Sequence, residues 1–230
     1  MNEHDVFELL ARHVIVPVIA IDSVDAALPL ADALLEGGLP VAEITFRTAA
    51  AAEVIAKLVK ERPSMVLGAG TILTAENLGR ACDAGAKFGV APGLNQDVVA
   101  EAAHRGLPFI PGVITPTEIE QALGLGLRFL KFFPAEAFGG LKVIKALSAP
   151  YAHAGVKFMP TGGISTSNLP EYLEERAVAC VGGTWIASRE AIAQKKWAQI
   201  RDNCRAAVEL VKSVRGNPPS AAPNPPSAAH

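Results

Sequence analysis

The amino-acid sequence predicts an α/β fold, and within that class a (β/α)8 barrel, also called a TIM barrel. Short apolar or β-branched runs alternate along the chain with longer helical patterns. The runs recur at roughly 20–25 residues, which is a spacing typical of parallel strands joined by helical crossovers. Eight such runs are present, and eight strands close this barrel. An open, doubly wound sheet is the alternative, but no G-x-G-x-x-G motif follows the first run.

The predicted strands are these short runs, taken in chain order. They span residues 16–21, 41–46, 65–70, 88–92, 108–113, 128–134, 157–162 and 179–186. The segments between them carry helical patterns, as at 23–38, 49–62 and 74–86. Several helical patterns follow residues that commonly cap a helix N-terminus, namely Ser23, Thr74, Asn95 and Ser165.

The sequence predicts a single domain over residues 1–215 and a tail over residues 216–230. The tail reads GNPPSAAPNPPSAAH and contains no large apolar residue. Such a segment cannot bury enough surface to offset the entropy that it would lose on ordering. We therefore expect a flexible Pro/Ser/Ala-rich tail after the barrel.

Composition excludes several classes of protein. Of the 230 residues, 50% are hydrophobic and 19% are charged, whereas disordered chains combine low hydrophobicity with high charge. Cys82, Cys180 and Cys204 are too few for a disulfide framework, and we expect reduced thiols. No run approaches 18 uninterrupted apolar residues, and segment 1–13 lacks the apolar core of a secretory signal. These features predict a cytoplasmic protein with no membrane partner.

Charge and histidine content predict neither a nucleic-acid partner nor a metal. The formal net charge is −2, and lysines and arginines form no basic stripe. The five histidines show no ligand spacing such as H-x-x-x-H. We therefore expect a site for a small molecule that is built without a metal.

Lys131 is the most informative residue of the sequence. It lies in the middle of the sixth predicted strand, flanked on both sides by Phe and Leu. Desolvation disfavours the ammonium form, and the free amine that results can attack a carbonyl carbon. The alternative is a strand-end lysine that extends to solvent or pairs with a carboxylate.

Glu43 and Arg47 lie on one face of the second predicted strand, because alternate residues of a strand share a face. The second and sixth strands are opposite each other in the barrel, so Glu43 is expected to meet Lys131 near the axis. A carboxylate there can transfer protons during imine chemistry. A plain buried ion pair is the alternative. Arg47 offers a bidentate clamp for a carboxylate or phosphate, unless it forms only a salt bridge at the rim.

The seventh predicted strand ends at a glycine pair, Gly162–Gly163, and the eighth contains a second pair, Gly182–Gly183. The loops after these strands, with a short helix N-terminus, form the usual phosphate site of this barrel. Thr184 supplies a further hydroxyl donor. The sequence thus predicts a phosphate group at one end of the ligand.

Five motifs, in order, resemble the family of 2-keto-3-deoxy-6-phosphogluconate (KDPG) and 4-hydroxy-2-oxoglutarate (KHG) aldolases. They are A-E-I-T-F-R-T (42–48), G-A-G-T (68–71), L-K-F-F-P-A-E (130–136), P-T-G-G-I-S (160–165) and G-G-T-W (182–185). The resemblance covers roughly residues 14–200. It implies a class I aldolase of the Entner–Doudoroff pathway, without cofactor or metal, that usually forms a homotrimer.

The resemblance also implies a role for each matching residue. Lys131 corresponds to the Schiff-base lysine and Glu43 to the general acid/base. The expected substrate is a 2-keto-3-deoxy sugar acid phosphate, with pyruvate and glyceraldehyde 3-phosphate as products. Arg47 and Thr71 correspond to positions that hold the carboxylate end, Pro92 to one that lines that pocket, and Thr161 to one that controls stereochemistry at C4. The matches at the phosphate end are Gly162, Gly163, Gly183 and Thr184, and Phe133 is a further substrate-binding match.

Departures from the family pattern leave alternatives open. Thr184 replaces a common Ser, and Phe138 stands where a small or polar residue is common. The preferred substrate stays open between the gluconate series, which Thr161 favours, the galactonate series and 4-hydroxy-2-oxoglutarate. The rival functions are a phosphate-binding isomerase or synthase without imine chemistry and a non-catalytic sugar-phosphate sensor.

Overall fold

The computed structural model describes residues 3–216, and the predicted tail from residue 217 onward lies outside the described residues. Within this range nine strands form the sheet, and all of their pairings are parallel. The strands are β1 (Ile15–Ile19), β2 (Val41–Thr45), β3 (Val66–Gly70), β4 (Phe88–Val90), β5 (Phe109–Ile110), β6 (Gly112–Val113), β7 (Phe129–Phe132), β8 (Lys157–Pro160) and β9 (Val181–Gly183).

Ten α-helices flank the strands in the described part of the chain. They are α1 (Glu3–His13), α2 (Ala27–Glu36), α3 (Ala51–Glu61), α4 (Ala75–Asp83), α5 (Gln96–His104), α6 (Pro116–Gly124), α7 (Gly140–Tyr151), α8 (Leu169–Glu174), α9 (Arg189–Ala193) and α10 (Trp197–Arg215). None of these helices is both long and apolar enough to cross a lipid bilayer.

The sheet is curled, as the predicted fold class requires, and its hydrogen-bonded ladder is divided in two. One part has the order β5-β4-β3-β2-β1-β9 and the other the order β6-β7-β8. The fifth predicted strand is split into β5 and β6 at Pro111, which has no N–H to donate, although its carbonyl accepts from Lys131 N at 2.8 Å. On the other side, single parallel bridges join Phe158 to Val178 and Thr161 to Gly182.

In the described part of the chain, two apolar clusters flank the sheet. The larger one lies between the strands and the surrounding helices. The smaller one is inside the curl and includes Val16, Val41 and Phe129, which lie at or near the starts of their strands. Val6 and Leu10 of α1 belong to this inner cluster, so α1 covers the N-terminal end of the sheet. The sequence analysis did not predict this helix.

The predicted helix caps had different outcomes. Thr74 and Asn95 cap α4 and α5 as predicted, each accepting hydrogen bonds from backbone N–H groups of the first turn. Ser23 caps a short 3-10 turn that precedes α2. The prediction for Ser165 was wrong, because Asn168 occupies the N-cap position of α8. The Asn168 side chain accepts a hydrogen bond from the Ser165 N–H, and this closes a turn before the helix starts.

Candidate active site

Lys131 and Glu43 meet inside the curled sheet, as predicted from their strands. Lys131 is the third residue of β7, and Glu43 is the third residue of β2. Lys131 Nζ lies 3.5 Å from Glu43 Oε1. Lys131 is 5% exposed and Glu43 is fully buried. The two groups therefore form a charge pair that is largely withdrawn from solvent.

Among the described residues, the Glu43 carboxylate finds none of the hydrogen bonds that normally stabilise a buried acid. Neither of its oxygens has a hydrogen-bond partner among residues 3–216. Leaving a buried polar group unsatisfied costs about 1–3 kcal/mol, and such groups are rare outside functional sites. Both oxygens thus keep their capacity to accept or donate a proton to a ligand.

Gly70, in the G-A-G-T motif, makes the space that Glu43 occupies. Its partner residue in the β2–β3 ladder is Thr45, two residues from Glu43. A Cβ atom at position 70 would overlap the Glu43 carboxylate and its Cγ. In the sequence this glycine is visible only as part of the G-A-G-T motif. Its role in seating the carboxylate emerges from the three-dimensional packing of the two strands.

The apolar residues that flank Lys131 in the sequence lie on both faces of β7. Strand alternation places Phe129 in the inner cluster, whereas Leu130 and Phe132 pack in the outer one. The Lys131 Nζ lies 5.4 Å from the centroid of the Phe133 ring, which is within the range of a cation–π contact. Leu130 and Phe132 therefore face away from the Lys131 side chain, and Phe133 is the flanking residue that lies beside its Nζ.

Arg47 is exposed just beyond the end of β2, and Thr45 orients it. The Arg47 Nε donates a hydrogen bond to Thr45 Oγ1 at 3.2 Å. The Thr45 hydroxyl in turn donates to the Ile19 carbonyl at 2.8 Å. Thr45 is buried, so a fixed chain of hydrogen bonds links the guanidinium to β1. Thr45 was not among the predicted site residues, although it lies between Glu43 and Arg47 on the same face of the strand.

Thr71 and Pro92 follow the C-terminal ends of β3 and β4, and both are partly exposed. Thr71 has a φ angle of +57°, which a β-branched residue rarely adopts. Strain of this kind, on the order of 1–3 kcal/mol, concentrates at ligand sites. The backbone at Thr71 is therefore held in a shape that its own side chain disfavours.

The two glycine pairs lie on neighbouring segments, as predicted, but only Gly162–Gly163 lies in a turn. The prediction of a loop position for Gly182–Gly183 was wrong, because these residues are the last two of β9. The bridge between Thr161 and Gly182 joins the segment after β8 to β9. Thr161 is buried, whereas Gly163 and Thr184 are exposed. Ser188 caps α9 by accepting from the Ala191 N–H. Exposed backbone and a hydroxyl group are thus available beside the C-terminal ends of β8 and β9.

This geometry can be compared with known proteins. A sequence model described as "KDPG and KHG aldolase" matches residues 6–203. The chain belongs to the KDPG/KHG aldolase family. A 2-dehydro-3-deoxy-phosphogluconate aldolase from Haemophilus influenzae is 45% identical over 207 residues, covering 90% of this chain and 97% of that protein. One from Treponema pallidum is 43% identical over 206 residues, with coverage of 90% and 97%.

A solved structure of a KDPG/KHG family member is also similar in fold. The KDPG aldolase from Legionella pneumophila, captured with pyruvate as a covalent carbinolamine intermediate, is 40% identical to this chain. The TM-score is 0.84, and the match covers 90% of this chain and 98% of that one. This similarity supports the α/β fold class predicted from the spacing of the strands.

Proposed function

We propose that this member of the KDPG/KHG family is a class I aldolase that cleaves 2-keto-3-deoxy-6-phosphogluconate to pyruvate and glyceraldehyde 3-phosphate. The observation that carries the proposal is the enclosed pair of Lys131 Nζ and Glu43 Oε1, 3.5 Å apart. The name and covalent pyruvate adduct of the Legionella relative support the same chemistry. Lys131 is proposed as the Schiff-base residue and Glu43 as the general acid/base.

The reaction starts when the neutral Lys131 amine attacks the C2 carbonyl carbon of the substrate. Glu43 accepts the proton that the Lys131 ammonium must lose. The pair therefore supplies a free amine while its net charge stays the same. The resulting carbinolamine has one C–N bond and one hydroxyl group at C2. Protonation of that hydroxyl by Glu43 releases water and leaves an iminium ion.

The iminium ion draws electrons from the C3–C4 bond. Glu43 takes the proton of the C4 hydroxyl, the C4 oxygen forms a carbonyl, and the bonding pair moves to form an enamine on Lys131. Glyceraldehyde 3-phosphate leaves. Protonation of the enamine at C3 gives the imine of pyruvate, and addition of water releases pyruvate and restores the amine.

Residues around the pair are proposed to hold the two ends of the substrate. The Arg47 guanidinium, anchored by Thr45, pairs with the carboxylate in the manner typical of arginine. The groups proposed to line or hold the substrate are Thr71, Pro92 and Phe133 at the carboxylate end, Thr161 near C4, and Gly162, Gly163, Gly183 and Thr184 at the phosphate.

We also propose that the protein is a cytoplasmic homotrimer in the Entner–Doudoroff pathway. The proposal follows the family resemblance. Three large apolar side chains in the described residues are exposed, Leu73, Leu125 and Phe138, and burial between subunits would remove such surface from water. Sedimentation equilibrium tests the trimer directly.

A retro-aldol assay tests the proposed activity. Release of pyruvate is followed from 2-keto-3-deoxy-6-phosphogluconate, its galactonate epimer and 4-hydroxy-2-oxoglutarate, which would give pyruvate and glyoxylate. We expect the gluconate-series phosphate to have the highest kcat/KM. A higher value for the galactonate epimer would reassign the substrate, and no pyruvate from any of the three would overturn the proposal in favour of an enzyme without imine chemistry or a sensor.

A further inference from the structure

Glu136, the last residue of the L-K-F-F-P-A-E motif, has no part in the proposed chemistry. Its backbone nevertheless continues the pairing of β7 with β8 beyond the ends of both strands. The Ala135 N–H donates to the Thr161 carbonyl at 2.9 Å, and the Glu136 N–H donates to the Gly162 carbonyl at 3.1 Å. The segment after β7 is therefore hydrogen-bonded to the start of the turn at Gly162–Gly163.

The Glu136 side chain also packs directly against this turn. Gly163 has a φ angle of +79°, and a Cβ atom there would lie 2.5 Å from Cβ and 2.7 Å from Cγ of Glu136. A side chain at position 163 would therefore collide with the stem of Glu136, and the positive φ angle independently favours glycine. The position of the turn is therefore defined by the aliphatic part of Glu136.

Tyr172 in turn fixes the carboxylate of Glu136. The Tyr172 hydroxyl donates a hydrogen bond to Glu136 Oε1. Tyr172 is 1% exposed and lies on α8, the helix that follows the turn in the chain. Burial, followed by the hydrogen bond to Glu136, raises the pKa of Tyr172 far above its usual range. The hydroxyl therefore stays protonated and keeps donating throughout the neutral pH range.

We propose that Glu136 and Tyr172 are positioning residues that hold the Gly162–Gly163 turn in the shape that binds the substrate phosphate. This inference rests on the proposed function of the site. Tyr172 orients Glu136, and Glu136 supports the turn through both its backbone and its aliphatic stem. A substrate without a phosphate makes no use of the turn, so loss of the pair acts selectively on the phosphorylated substrate.

The first test replaces Tyr172 by Phe, which keeps the buried ring and removes the donor. Steady-state constants are compared for 2-keto-3-deoxy-6-phosphogluconate and its unphosphorylated counterpart, 2-keto-3-deoxygluconate. The ratio of interest is kcat/KM for the phosphorylated acid divided by kcat/KM for the unphosphorylated acid. We expect this ratio to fall about tenfold, because KM for the phosphorylated acid rises. Tyr151→Phe is the matched control, because the Tyr151 hydroxyl also donates to a carboxylate, that of Glu120 at 3.1 Å. It should leave the ratio unchanged.

A second test determines whether Tyr172 acts through Glu136. Glu136 is exposed, so Glu136→Ala is expected to fold. It should lower the same ratio at least as much as Tyr172→Phe, and the double variant should lower it no further than Glu136→Ala alone. Additive effects, an unchanged ratio or equal losses for both substrates would overturn the inference. If the wild-type enzyme cleaves no phosphorylated acid, the proposed function and the inference both fail; an unchanged ratio in an active enzyme removes only the inference.

Discussion

Lys131 and Glu43 form a pair whose purpose is better explained by chemistry than by stability. Taking two charges out of water has a penalty that their mutual attraction offsets only when further hydrogen bonds are made. Neither oxygen of Glu43 has such a bond within residues 3–216. Apolar residues of similar volume would stabilise the interior at least as well. The pair is consistent instead with a site in which a proton must pass between an amine, a carboxylate and a substrate.

Glu43→Gln tests the proton-transfer role. The amide keeps the size of the side chain but cannot carry a proton between steps, so kcat for pyruvate release should fall by about 10²–10⁴-fold. The matched control is Glu209→Gln on the surface, where the carboxylate pairs with Lys212 Nζ at 2.7 Å. The control should be as active as the wild type. Full turnover by Glu43→Gln would remove this residue from the mechanism.

Thr45→Val tests the anchoring of Arg47. Valine removes the oxygen that accepts from Arg47 Nε, so the guanidinium loses its fixed position. We expect KM for the substrate to rise about tenfold with a much smaller change in kcat, because Arg47 is proposed to bind the carboxylate away from the breaking bond. Thr45→Ser keeps the hydroxyl and should restore KM. Equal KM values for the Ser and Val variants would contradict the anchoring role.

At the level of residues, the sequence predicted the central pair but not its support. Strand parity and the opposite placement of two strands were enough to bring Lys131 and Glu43 together. The role of Gly70 depends on the close approach of two backbones, and that of Thr45 on a hydrogen bond to β1. Glu136 and Tyr172 are 36 positions apart in the chain. No local pattern in the sequence records such contacts.

Helix α1 is the element that departs most from the sequence prediction. Val6, Phe7 and Leu10 have the i, i+1, i+4 spacing of one helix face and lie in or against the inner cluster. The periodic signal was therefore present, but the helix precedes the first strand and so lies outside the strand–helix repeat on which the prediction was based. Its position depends on the inner cluster that it covers at the N-terminal end of the sheet. The split of the fifth strand has a local cause that is visible in the sequence, because Pro111 cannot donate to a ladder.

His13 at the end of α1 gives the fold a predicted dependence on pH. Burial, followed by the neighbouring Arg12, lowers the pKa of His13 below its ordinary value of 6.5. The unfolded chain then binds a proton more readily than the folded one as the pH falls below 6.5. Folding stability is therefore retained above that value and lost progressively below it, down to the lowered pKa.

The prediction is tested by urea unfolding between pH 7.5 and 5. His13→Gln cannot take up this proton, so its unfolding midpoint should fall less on acidification than that of the wild type. His104→Gln is the control, because His104 also ends a helix but its side chain is 82% exposed. The control should follow the wild type. Identical pH profiles for all three proteins would contradict the predicted linkage.

At the scale of the whole molecule, the two ends of the curled sheet differ in their contents. The N-terminal end is covered by α1, and the proposed site residues lie on or just after the strands toward the other end. The last helix is fastened by Arg215, whose guanidinium donates to the carbonyls of Leu173, Val178 and Ala179. Burial lowers the pKa of Arg215 from its usual value. Arg215, the last residue of the predicted domain over residues 1–215, is thus held by three hydrogen bonds.

At this scale the strand spacing and the absence of a dinucleotide motif were enough to predict the fold class. The hydrogen-bonded ladder is divided into one part with the order β5-β4-β3-β2-β1-β9 and another with the order β6-β7-β8. This division follows from Pro111 and from the short strands, and the spacing of the predicted strands does not indicate it. The predicted tail beyond residue 216 stays a prediction. The function depends on a single chemical claim, namely that Lys131 forms an imine with the substrate.

Borohydride trapping with pyruvate tests that claim most directly. The protein is incubated with pyruvate and sodium borohydride, and the peptides are then analysed by mass spectrometry alongside the residual activity. The imine mechanism predicts a reduced pyruvyl group on Lys131 in proportion to the activity lost. It predicts none on Lys157, whose Nζ donates to the Arg176 carbonyl at 2.9 Å. Absence of the adduct from Lys131, or full inactivation with Lys131 unmodified, would contradict the imine mechanism.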